Sequence, residues 1–173
     1  MAQNKKSMRT NSLGRKTTFA LIFLIANLLY TLPVNAQIAN ELARIDVFFR
    51  SIADGQDILK VSTENKHCIL FYKQGADIMF ANNYEKQNSS SYGKISDVSY
   101  KSSKEKDGSS SDVFHFKWHW QNSYDRETGI ADVFVKVVTS KDAIVARIII
   151  VSGDLENVLD YGGLFLGSLI SLK

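Results

Sequence analysis

The residues that could do chemistry in this 173-residue chain gather in one alternating stretch and in the run that follows it. In Asp112 to Gln121, DVFHFKWHWQ, the side chains of His115, Lys117 and His119 share one side of a strand, and Phe114, Phe116, Trp118 and Trp120 share the other. An eight-residue loop, Asn122 to Gly129, leads into a Val-rich run in which antiparallel pairing sets Asp132 near His119. A histidine oriented by a carboxylate is an acid–base element, so His119 and Asp132 are the candidate catalytic pair. Lys136 and Arg147 join the same face, no nucleophile is identifiable beside the pair, and a merely solvated sheet face needs the same residues. The aromatic side suggests binding instead. Phe114, Phe116, Trp118 and Trp120, with Tyr124 at the rim, could line a site for a small apolar ligand or a sugar, although the same rings equally fill a core.

Other chemistries have less to work with. His115 and His119 lie about 13 Å apart along a strand, too far for one ion, and no close His or Cys spacing points to a metal. No cofactor is expected: the segment Lys101 to Ser111, KSSKEKDGSSS, lacks the strand–loop–helix setting of a phosphate cradle and reads as a mobile exposed loop. Cys68 is the only cysteine, so no intrachain disulfide is possible, and its apolar surroundings, His67 to Tyr72, mark it as a small buried hydrophobe.

The first 36 residues read as a secretory signal peptide. Lys5, Lys6, Arg9, Arg15 and Lys16 precede a 14-residue apolar run, Phe19 to Leu32, and Val34 and Ala36 are small residues suited to cleavage before Gln37. The run is short for a membrane span, so no stable membrane insertion is expected after cleavage, and the destination is the periplasm or the medium. The leader holds five of the 21 Lys and Arg and none of the 18 Asp and Glu. Residues 37–173 therefore carry 16 basic against 18 acidic groups, which speaks against nucleic-acid binding, and their 137 residues suit a single domain.

The elements that must position the chemistry begin with a predicted amphipathic helix, because Ile38, Leu42, Ile45, Phe49 and Ile52 recur at spacings of four and three, and Asp54-Gly55 would stop it. A hairpin turning at Gln74-Gly75 pairs Phe71 with Ile78 and Leu70 with Met79. Tyr92 to Tyr100 is a weak strand, since Ile95 and Val98 do not share a face. The clearest hairpin is Ile130 to Ser152, with Ala131, Val133, Val135 and Val137 facing the core beside Ile144, Ala146, Ile148 and Ile150. A connection from Thr139 to Asp142 sets Phe134 opposite Arg147 and keeps Lys136 away from that like charge. A short helix carrying Leu155, Val158 and Leu159, and a last strand from Leu164 to Leu172, complete the chain. The expected fold is α+β, the N-terminal helix packed on a curved antiparallel meander of about five to seven strands. In architecture alone this resembles cystatin-like and NTF2-like folds, and the resemblance carries no site residues. The expected function is that of an exported, noncatalytic binding module. A small enzyme built on His119 and Asp132, or a secreted effector or inhibitor acting by protein contacts, is the alternative.

Overall fold

The computed structural model describes residues 40–104, 108–153 and 157–173, so the predicted leader lies outside the described residues. The described chain is nearly all strand: β1 (Glu41–Ala53), β2 (Gln56–Asp57), a short helix α1 (Leu59–Glu64), β3 (His67–Gln74), β4 (Asp77–Tyr84), β5 (Ser89–Lys104), β6 (Ser110–Asn122), β7 (Thr128–Thr139), β8 (Ile144–Ser152) and β9 (Val158–Gly167). Each long strand pairs antiparallel with the next, and β9 returns to pair with β1 from Gly167↔Ala43 to Leu159↔Ala53. The eight long strands thus close into a barrel, with β2 a two-residue addition beside the end of β1.

The expected α+β meander is therefore wrong, and the predicted N-terminal helix is the first barrel strand. Its residues fit two periods at once. Ala43, Ile45 and Val47 alternate inward as a strand requires, whereas the helical spacing depends on Phe49 and Ile52. A register shift between Val47 and Arg50 puts Phe48 and Phe49 together on the outside, which breaks the alternation and imitates a helical stripe. Tertiary pairing decides, because β1 supplies the strand that joins both free edges of the sheet. The segment expected to hold a second helix is likewise β9 from Val158 onward, while residues 154–156 lie outside the described residues. The predicted last strand ends at Gly167 and is followed by a single 3-10 turn, Ile170–Leu172.

Closure explains why both a packed core and a charged coat fit on one layer. The interior is apolar and dense: Phe71, Phe80, Phe114, Phe116, Val133, Val135 and Ile148 are buried, and Phe71, Phe80 and Phe116 meet edge to face with centroids 5.1 to 6.0 Å apart. Outside sit ion pairs such as Arg44–Asp46, Lys117–Asp132 and Arg147–Asp160. That arrangement is the reverse of a lipid-facing barrel. Small residues set the curvature. At Gly163 a Cβ would run into the Asp46 carbonyl, and at Gly93 into that of His119, so the neighbouring strand comes close only because no side chain stands there.

Three local expectations change. The β3–β4 turn is Gly75-Ala76, with Gly75 at φ +62, so Phe71 faces Phe80 and Leu70 faces Ala81. The stretch expected as a mobile loop is largely strand, since β5 runs to Lys104 and β6 begins at Ser110. In β7–β8, Lys136 does stand opposite Arg147. The repulsion is relieved because Arg147 turns away to Asp160, donating from Nε at 2.9 Å and from Nη2 at 2.8 Å. The core faces of that hairpin are as read from the sequence, with Ile144 partly exposed at its end.

Candidate functional site

The alternation of β6 sends its two faces to different places. Phe114, Phe116 and Trp118 are buried in the barrel, Trp118 at 3% exposure, with Phe80 4.9 Å away and Trp120 6.3 Å away. These rings pack on one another and on the interior faces of β4 and β7, so they form no open platform. Trp120 packs against the same cluster at its edge. Tyr124, in the β6–β7 turn, is 73% exposed.

On the outer face, pairing puts Lys117 opposite Asp132 and His119 opposite Ile130. Asp132 is consequently shared by His115, whose Nε2 lies 2.8 Å from Oδ1, and Lys117, whose Nζ donates to Oδ2 at 2.7 Å. Hydrogen bonds from Lys117 and then His115 hold this carboxyl below the usual carboxylate range. His115 also stacks on Phe134 at 4.4 Å. His119 is instead next to β5, with Nε2 3.0 Å from Ser96 Oγ, so the structure does not bring His119 and Asp132 together. The histidine that meets the carboxylate is His115, four residues earlier on the same face than the His119 that the spacing of loop and strand suggests. The His115–Asp132 pair is half-buried on the outer face of the barrel, still reached by water.

A half-open pocket lies at the end of the barrel where β6 begins. A cavity of about 170 Å³ is lined by Phe114, Val137, Ile144, Phe165 and Leu169, with Asp112 and Lys173 among its polar members. Gly167, at φ +92, turns the chain out of β9, and Ser168 N–H donates to the Leu42 carbonyl, which folds Leu169 and the 3-10 turn back across the opening. Asp112 accepts from Tyr100 Oη at 2.8 Å and from Lys173 Nζ at 3.3 Å, and that ammonium lies 4.5 Å from the Tyr100 ring centroid. Partial burial pushes the Asp112 carboxyl up, but hydrogen bonds from Ser102, Tyr100 and Lys173 outweigh it and hold the group below its ordinary range. The pocket thus sets apolar side chains beside one oriented ion pair, with polar and apolar groups both on its wall.

Of the candidate site residues in the sequence, only Phe114 lines this cavity. Asp112 is absent from that set, although it continues the inward-facing register of Phe114, Phe116, Trp118 and Trp120 and so had to face the lumen. Leu169 and Leu172 carry a signal too, as apolar residues placed just beyond a glycine that ends a strand. Comparison with protein-family models, with curated proteins and with solved structures finds no match, so the functional reading rests on geometry.

Proposed function

We propose that this chain is an exported, noncatalytic binding module, and that its site is the cavity at the β6-start end of the barrel. The observation that carries the reading is a half-open space of about 170 Å³ walled by apolar side chains and by an Asp112–Lys173 pair. A cavity of roughly 150 Å³ takes a benzene-sized molecule, so the ligand is a single ring or short chain with one polar group that meets Asp112 or Lys173. Export is supported by the basic, apolar and small-residue order of residues 1–36. Interior rings pack edge to face on one another rather than facing outward, which favours the apolar ligand over a sugar.

Methyl-detected NMR titration with toluene tests the site. Saturable shifts confined to Ile144, Val137 and Leu169 are expected, and Leu169→Trp, which fills the space, should abolish them. Absence of saturation, or unchanged shifts in the filled variant, would remove the cavity as a binding site.

A further inference from the structure

The pocket at the start of β6 already holds a cation, one that belongs to the chain itself. The Lys173 ammonium lies 3.3 Å from Asp112 Oδ2 and 4.5 Å from the centroid of the Tyr100 ring. Carboxylate and ring stand on adjacent strands, Asp112 near the start of β6 and Tyr100 on β5. Tyr100 Oη donates to Asp112 Oδ1 at 2.8 Å, which leaves Oδ2 for the ammonium and ties carboxylate and ring into one unit. The Tyr100 ring in turn leans on Phe114, with centroids 5.0 Å apart, so the seat of the cation adjoins the apolar wall of the pocket. A carboxylate beside an aromatic face favours a cation twice over, the first by its charge and the second by the quadrupole of the ring.

The fold holds the two halves of this contact with unequal firmness. Asp112 and Tyr100 stand on strands paired with each other, Tyr100 opposite Phe114 and Ser102 opposite Asp112. Lys173 follows the single 3-10 turn Ile170–Leu172, in which Ile170 is 69% exposed, and its ammonium ends a flexible four-carbon stem. An ion pair whose side chains are 36% and 33% exposed is weak and screened by solvent, so a second cation displaces the lysine without disturbing the barrel. An anion is the poorer occupant. To reach Lys173 it would have to lie beside the Asp112 carboxylate, a like charge, and against the negative face of Tyr100.

We propose that Asp112 and Tyr100 recognise an organic ammonium ion, a protonated amine carrying one small ring or a short alkyl chain, and that Lys173 is its intramolecular competitor. This rests on the reading of the pocket as a binding site and names the polar group of its ligand. The ammonium of the ligand takes the place of Lys173 Nζ on Asp112 Oδ2 and over the Tyr100 ring, and its apolar part lies among Phe114, Ile144 and Leu169. Lys173 swings out into solvent. Affinity for the amine is therefore reduced by the fraction of time that Lys173 holds the seat, and deleting the lysine ammonium restores it.

Benzylamine and benzyl alcohol, which share ring and reach and differ in the cation, test the proposal by titration at neutral pH, read at the Ile144 and Leu169 methyls. Benzylamine should bind the parent about threefold more tightly than the alcohol, and should bind Lys173→Met, which keeps an apolar stem and deletes the competing ammonium, roughly tenfold more tightly than the alcohol does. Asp112→Asn should bring the two compounds level. Tyr100→Leu, a second variant that leaves the carboxylate in place, should cost the amine more affinity than the alcohol. Equal affinity of the parent for amine and alcohol, or a Lys173→Met variant that binds the amine no better than the parent does, would overturn the proposal. Saturation by toluene would in that event still mark the pocket as a binding site, whereas no saturation by any of the three compounds would remove pocket and proposal together.

Discussion

Trp118 and His67 show how differently two interior residues can be written in a sequence. Trp118 is legible as inward-facing because strict alternation over ten residues leaves no other place for it, and its burial against Phe80 follows. Truncation to alanine should cost about 3 to 5 kcal/mol, read as a fall in denaturant midpoint, since it removes a core aromatic; a loss below about 1 kcal/mol would mean that the ring is not packed. His67 is not legible, because it opens an apolar run and nothing local distinguishes a lumenal imidazole from a surface one. Its partners Asn82, Tyr84 and Tyr161 come from β4 and β9. Stability should reflect this. His67 binds its proton at about 4 in the folded state and near 6.5 when unfolded, so the unfolded chain takes up more protons across that window. The stabilisation is complete above the unfolded value and is lost progressively as pH falls toward 4, by about 3 kcal/mol in all. Unfolding curves of the parent and of His67→Gln between pH 7 and 4 should therefore converge on acidification; parallel loss in both would assign the acid sensitivity to other groups. The histidine beside Asp132 escapes sequence reading for a different reason. A small difference in register exchanges His119 for His115 as its partner, and loop length alone does not fix register that closely.

Among the elements, β6, β7 and β8 are readable because their side chains alternate without interruption, whereas β1 and β5 each carry a shift that scrambles the period. In β5 the irregularity between Ser96 and Ser99 contains Asp97 at φ +52, which is why Ile95 points into the core and Val98 is exposed. The register expected for β7–β8 treats Lys136 and Arg147 as an isolated pair. Asp160, on β9, is the third charge that changes the balance, and burial working against the hydrogen bonds of Arg147 and Arg50 still leaves its carboxyl at about 2. Asp160→Ala should leave Arg50 and Arg147 close together without their acceptor and lower the thermal midpoint, more at low salt than at high salt; an effect independent of salt would argue for packing instead. Glycines between strands make a sharper test of the close β1–β9 approach. Gly163→Ala places a methyl against the Asp46 carbonyl and should cost about 1 to 3 kcal/mol, the usual range for overfilling a packed contact. Ala at Gly55, where the added carbon meets nothing within 4 Å, should leave contacts across β1–β9 untouched and strain only its own turn at φ +79.

At the scale of the whole molecule, one pairing separates a barrel from the open meander read from the sequence. No stretch of sequence records that β1 and β9, more than a hundred residues apart, are neighbours; each merely offers a strand of the right length with inward residues that match. Closure also makes the two ends chemically distinct, a half-open pocket beside Asp112 at one and the buried polar side chains of His67, Asn82 and Ser51 toward the other, with the packed rings of Phe71, Phe80 and Phe116 between. The most direct measurement is therefore of the closing seam. In the 15N,13C-labelled protein, nuclear Overhauser contacts are expected between Ile45 and Phe165 and between Ser51 and Tyr161, with extended carbon shifts throughout Glu41–Ala53 and slow amide exchange along the seam. Helical carbon shifts over those residues, with successive amide-to-amide contacts and none reaching β9, would contradict the closed barrel.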